Sequence, residues 1–171
     1  MEFNNKRIIG IDPGLRYTGW GIIDIKDSKR IHIANGTIAT DSKLDLATRL
    51  YKLSSELSDI INKYSPNESA IEKTFVNKNP LSSLKLGHAR GALIVTLSQH
   101  NLLAEEYDAT KIKKAITGNG RADKNQISAM VSILLPAIDI DSSDSADALA
   151  IALCHANYCE TNALYDLRQY S

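Results

Sequence analysis

The sequence lacks most of the features that would classify it at once. Two cysteines in 171 residues exclude a disulfide-stapled scaffold, and Cys154 and Cys159 are spaced for neither a zinc knuckle nor a redox pair, so their expected role is packing in a reducing compartment. No apolar run approaches the roughly 18 residues that span a bilayer, and Met1 to Lys6 does not read as a secretion signal, so a soluble, cytoplasmic protein is expected. Net charge is absent as well: 20 Lys and Arg balance 20 Asp and Glu, which gives a nucleic-acid role no support from bulk charge. There is no Gly-x-Ser-x-Gly elbow and no glycine-rich loop ending in Gly-Lys-Ser/Thr, and His32, His88, His100 and His155 are scattered, so nucleophilic triads are set aside. Without repeat, low-complexity tract or linker, residues 1–171 read as one domain, long enough to bury a core unaided.

What the chain does carry is acid beside core segments. Asp12 ends the run Arg7-Ile8-Ile9-Gly10-Ile11, Glu72 follows Ala70-Ile71, and Asp144 and Asp147 precede Ala148-Leu149-Ala150-Ile151-Ala152-Leu153. A carboxylate near apolar surface loses hydration worth several kcal/mol unless a cation compensates it, and clustered acids hold a divalent cation best. Each acid alone has an ordinary explanation. Asp before Pro13-Gly14 is turn chemistry, acids in a first helical turn suit the dipole, and Glu72 can pair with Lys73 or a neighbouring strand. Together they point to a shared site. Asp144 and Asp147 fall on one helix face with Cβ atoms about 5 to 6 Å apart. The first strand, fourth strand and last helix can converge at the carboxyl ends of neighbouring strands, where open α/β sheets place their sites. A magnesium centre is expected, and two ions about 3.5 to 4 Å apart would activate water and stabilise the departing oxygen of a phosphodiester.

The elements follow from periodicity and punctuation. Residues 7–12 form a buried strand, and 19–25 with 30–34 form a hairpin around Asp27-Ser28-Lys29. An amphipathic helix runs from Lys43 to Tyr64 with Asp41 or Ser42 as its cap, then a short strand from Ser69 to Thr74 carries Glu72. Asn79-Pro80 opens a helix to about Gln99, and Leu102 to Tyr107 gives a fifth strand. Thr110 caps a short helix stopping at Gly118-Asn119-Gly120, another spans Asp123 to Leu135, and Ser142 or Ser143 caps the last, from Asp144 to about Tyr158. The class is α/β: a five-stranded mixed sheet, an antiparallel meander plus two parallel strands, flanked by helices.

Four blocks then carry a resemblance. Ile9-Gly10-Ile11-Asp12-Pro13-Gly14 with Thr18-Gly19-Trp20-Gly21, Ile71-Glu72-Lys73-Thr74-Phe75, Leu84-Lys85-Leu86-Gly87-His88-Ala89-Arg90-Gly91, and Asp144-Ser145-Ala146-Asp147-Ala148-Leu149-Ala150 resemble the signature blocks of the RuvC crossover-junction endodeoxyribonucleases. These belong to the ribonuclease-H-like superfamily, and the likeness runs from about residue 7 to 158 in order and spacing. It implies a homodimer that resolves Holliday junctions by symmetric paired nicks in recombination and repair, with RuvA and RuvB as partners. It also implies Asp12, Glu72, Asp144 and Asp147 as catalytic metal ligands for two Mg2+, with Mn2+ able to substitute.

Charge distribution suggests the DNA contacts. Residues 73–104 hold Lys73, Lys78, Lys85 and Arg90 and no acid, while Lys111, Lys113, Lys114, Arg121 and Lys124 crowd a strip interrupted only by Asp123. Such a strip suits backbone phosphates, although solvated helix surfaces look alike. The resemblance singles out Lys113 and Lys124 as lying near the scissile phosphate. Phe75, in the loop that continues to Lys78, is either core or a base-stacking wedge, and the resemblance favours the wedge. The small residues Gly87, Ala89, Gly91 and Ala92 beside Leu86, Leu93, Ile94 and Leu97 allow close helix packing, within the chain or, as the resemblance implies, across a two-fold seam. The alternatives are a ribosomal-RNA-processing nuclease of the same superfamily, a phosphotransferase of the sugar-kinase and actin type, which needs two such domains, and a binding module whose acids are only caps and surface pairs.

Overall fold

The computed structural model describes residues 6–27, 29–73, 79–136 and 138–169, with backbone alone beyond residue 159. Strands β1 (Lys6–Asp12), β2 (Tyr17–Lys26) and β3 (Lys29–Ala39) form the expected meander, and β4 (Glu68–Lys73) and β5 (Ala104–Asp108) extend it in the order β3-β2-β1-β4-β5. β4 lies parallel to both β1 and β5, so the sheet is mixed as the sequence predicts. Helices α1 (Leu46–Tyr64) and α2 (Pro80–Gln99) cover one face; α3 (Ala109–Thr117), α4 (Lys124–Leu134) and α5 (Ser143–Gln169) cover the other.

Strand alternation decides what each face receives. Ile9, Ile11 and Ile71 pack with Leu53, Leu57, Leu93 and Leu97 under α1 and α2. Ile8 and Ala70 pack with Leu149 and Ala152 under α5. The two-residue period then turns Lys6, Gly10 and Asp12 of β1, and Glu68 and Glu72 of β4, toward the α5 side as well. A fully buried Ile or Leu contributes about 2 kcal/mol, so a one-residue slip in either strand would reverse a large term.

α5 rests on nearly bare backbone. A Cβ at Gly10 would collide with the backbone of Ala148 and Ala152, and one at Gly19 with the backbone of Asp144 and Ser145. The first turn of α5 is fixed by Ser142 and Ser145, each hydroxyl accepting the other's backbone N–H at 3.1 and 2.9 Å. Thr37 on β3 meets the Ser142 hydroxyl at 2.6 Å, and the Asn35 amide bridges Asp139 O and Asp141 N, which pins the preceding loop to the sheet edge.

Several boundaries differ from expectation, each for a local reason. α1 starts at Leu46 because Asp45, not Asp41 or Ser42, accepts the Thr48 N–H; Asp41 instead closes a turn onto Lys43 N. Asp108 rather than Thr110 caps α3. α5 continues to Gln169 instead of stopping near Tyr158, since residues 159–169 contain neither proline nor glycine. On α2, Ala89, Leu93 and Leu97 pack inward while Leu81, Leu84 and Val95 stay exposed, so Leu93 and Leu97 belong to this chain's own core. Among the described residues, no helix is long and apolar enough to cross a membrane.

Candidate active site

Asp12 and Glu72 end up side by side because β1 and β4 are parallel and in register, with Ile11 opposite Ile71 one residue earlier. Their carboxyl groups share a hydrogen bond. The chain leaves Asp12 through a fixed turn, in which the buried Thr18 hydroxyl donates to Gly14 O at 2.6 Å. Behind Glu72, Arg90 of α2 donates from Nε to the Glu72 carbonyl at 3.2 Å, and its Nη2 faces a Glu106 oxygen at 2.5 Å without a directed hydrogen bond. The first turn of α5 brings Asp144 and Asp147 from above, close enough for both to act electrostatically on Asp12.

The electrostatics are those of acids short of cations. Burial, reinforced by Glu72, Asp147 and Asp144, pushes the Asp12 carboxyl up to about 8. Burial raises Glu72 too, with Asp147 adding to it, while the bond from Asp12 and the charges of Lys113 and Lys124 oppose the shift. Lys124 Nζ lies 3.3 Å from Asp147 Oδ2, and that neighbour raises the lysine's own pKa. Two ammonium groups, of which Lys124 is largely exposed, cannot neutralise four carboxylates. An all-oxygen donor set carrying this much uncompensated charge fits hard divalent cations such as Mg2+.

Asp12, Glu72, Asp147, Lys113 and Lys124 line a single cleft of about 300 Å³ floored by apolar groups of α3, α4 and α5. Asp144 is not among the residues lining it and acts on Asp12 through its charge. Lys114, one residue along α3, turns away and lines a separate concavity with Lys111, and Arg121 is exposed in the turn before α4. Phe75 and Lys78 lie outside the described residues. The four acids are gathered but splayed, as like charges must be. Among the described residues the set of three ligating side chains held within 4.8 Å of one another is a different one, Glu68, His155 and Cys159, which could hold a metal ion.

Two features escaped the sequence reading. Arg90, counted with a basic surface, is turned inward as a support for Glu72. Cys159, expected only to pack, contacts Glu68 and His155, whereas Cys154 is buried as expected. The four-residue step from His155 to Cys159 was the available signal.

Comparison with known proteins adds independent findings. The family model "Crossover junction endodeoxyribonuclease RuvC" matches residues 8–155. A protein of Bartonella henselae described as crossover junction endodeoxyribonuclease RuvC is 49% identical over 152 residues, covering 89% of this chain and 90% of that protein. One of Wolbachia with the same description is 50% identical over 151 residues, covering 88% and 93%. Among solved structures, T. thermophilus RuvC in complex with Holliday junction substrate superposes with a TM-score of 0.86 at 27% identity, covering 92% of this chain and 96% of that one.

Proposed function

The chain belongs to the RuvC family of crossover junction endodeoxyribonucleases, and on that premise we propose that it resolves Holliday junctions by Mg2+-dependent, symmetric paired nicking during recombination and repair in the cytoplasm. The observation that carries this reading is the meeting of Asp12 and Glu72 with the Asp144–Asp147 turn in a cleft that also holds Lys113 and Lys124. The likeness to a RuvC solved with a junction supports the same substrate. Residues 1–171 act together as one nuclease domain in this reading.

Asp12, Glu72, Asp144 and Asp147 would hold two Mg2+, with Mn2+ able to substitute. Bound there, the ions supply an activated water and stabilise the departing oxygen. The protein's own groups do the rest. Asp12, raised by burial and its acidic neighbours, must lose its proton to serve as a ligand, and Lys113 and Lys124, in the same cleft, hold the phosphate near the cut. Lys114 and Arg121, off the cleft, add phosphate contacts along the arm, which contribute affinity without sequence reading. Phe75 and Lys78 serve at the junction centre.

The exposed stripe Leu84, His88, Gly91 and Val95 on α2 is spaced like a coiled-coil seam and supports a two-fold homodimer, with one site for each strand to be cut. RuvA and RuvB are the expected partners on the resemblance. A labelled four-way junction incubated with magnesium, calcium or chelator tests the whole reading. Paired symmetric nicks are expected with magnesium alone, and Asp12→Asn should bind the junction yet cut it at least about a hundredfold more slowly. Near-normal turnover by that variant would sink the carboxylate assignment; nicks that never come in pairs would sink the two-fold.

A further inference from the structure

A second group of ionisable side chains lies at the opposite end of β1, β4 and α5, beside a cleft of about 370 Å³. Glu68 Oε2 is 2.8 Å from His155 Nε2 and 3.2 Å from Cys159 Sγ, and the sulfur is 3.6 Å from the same ring nitrogen. These three donors form a triangle. A tetrahedral zinc ion with ordinary bond lengths separates such donors by about 3.6 Å for sulfur and nitrogen, about 3.5 Å for sulfur and oxygen and about 3.3 Å for nitrogen and oxygen. The sulfur–nitrogen edge therefore needs no change, and the other two need only open by a few tenths of an ångström.

We propose that Glu68, His155 and Cys159 bind one zinc-class divalent ion, at a site distinct from the carboxylate cleft, with the fourth ligand position open to solvent and Tyr107 orienting the imidazole.

The donor set fits a borderline-soft ion rather than magnesium, because thiolate and imidazole are poor partners for a hard cation. His155 and Cys159 sit one helical turn apart on α5, and Glu68 reaches them from the first residue of β4. Tyr107 Oη lies 2.8 Å from His155 Nδ1. On binding, the Cys159 thiol proton leaves to solvent, and the ring proton moves from Nε2 to Nδ1, where it is donated to Tyr107, the outer contact that a metal-bound imidazole needs. Lys6 holds the other Glu68 oxygen, Oε1, at 2.6 Å and so leaves Oε2 for the ion. Thiolate, carboxylate, Lys6 and a dication sum to one positive charge, which Glu105 on the same cleft offsets.

A nucleophilic thiol is the competing reading, and the geometry opposes it. Thiol and carboxylate both address Nε2, so no carboxylate stands behind Nδ1 to orient a base, and burial with Glu68 pushes the Cys159 thiol up to about 11.

The test uses the full chain, stripped by chelator and titrated with Co2+ alone and then Zn2+ alone. One Co2+ per chain should give a near-ultraviolet thiolate-to-cobalt charge-transfer band that Zn2+ abolishes. Cys159→Ser should lose the band, and Cys154→Ser and Asp12→Asn should keep it. Glu68→Gln and Tyr107→Phe should weaken zinc binding at least about tenfold. Should Cys159→Ser fail to fold, the parent titration and Glu68→Gln decide. Absence of the band in the parent, its survival in Cys159→Ser, or unchanged zinc affinity in Glu68→Gln overturns the proposal.

Discussion

The two ends of the sheet are built from the same three elements and differ in how their charges are met. At one end β1 supplies Asp12, β4 Glu72 and α5 Asp144 and Asp147; at the other β1 supplies Lys6, β4 Glu68 and α5 His155 and Cys159. At the second end Glu68 is matched by Lys6 at 2.6 Å and by His155 at 2.8 Å, and although burial works against it, those bonds and the one from Cys159 hold its carboxyl below the usual range. At the first end burial and the neighbouring acids outweigh the lysines of the cleft, and Asp12 is driven upward. One backbone frame thus carries a satisfied cluster and a frustrated one. A fold stores that frustration where a ligand of opposite charge is to be bound, at the cost of stability in its absence.

Three perturbations sharpen this contrast. The largest effect is expected for Gly10→Ala, since the added methyl must displace α5 from the strands at both clusters at once. A loss of about 3 kcal/mol or more in denaturant unfolding is expected, together with loss of junction cleavage. A variant of parental stability would mean that α5 does not depend on the bare backbone of β1.

The next effect is a pH dependence of the ion-free protein. Asp12 is raised from an ordinary 3.8 toward about 8 in the folded state, so the fold binds this proton more tightly than the unfolded chain does. Its contribution is fully present below the unfolded value and is lost as pH rises through the folded one. In chelator, stability should therefore fall between about pH 4 and pH 8, by roughly 1 kcal/mol per pH unit where only the unfolded carboxyl is ionised. Asp12→Asn should flatten that slope and raise the melting temperature at pH 8 by about 2–4 °C for each kcal/mol recovered. A slope unchanged in the variant would show that Asp12 is not the frustrated group.

The smallest effect is expected at the satisfied end. Glu68→Gln removes the charge matched to Lys6 and His155; Lys6 is partly open to solvent, His155 is buried, and the glutamine amide still offers an oxygen to one of them, so a loss of about 1 kcal/mol is expected. Stabilisation of the ion-free protein by this change, as expected for Asp12→Asn, would erase the difference between the two ends.

Much of the fold was legible locally. The strand at Lys6–Asp12, the Asp27 hairpin, the Asn79-Pro80 helix start and the Ser142 cap follow from residue type and neighbours within a few positions. The four acids were legible because each stands beside an apolar core segment. The ends of helices were less so: Asp41, Ser42 and Asp45 are all competent caps, and only the docked position of α1 selects Asp45. Arg90 and Cys159 were misjudged because their roles depend on partners far along the chain, Glu72 and Glu106 for one and Glu68 for the other.

By itself the sequence determined which side chains share a strand face, because alternation is a property of the backbone, and which residues cap or break each element, because those hydrogen bonds close within one turn. Tertiary structure alone decided that Asp12 and Glu72 stand side by side in one cleft, that Lys113 enters that cleft while Lys114 leaves it, and that a carboxylate, an imidazole and a thiol meet at the far end. Such meetings depend on parallel pairing of β1 with β4 and on how closely α5 settles over Gly10 and Gly19. Both are set by packing the whole core together rather than by any short stretch of chain.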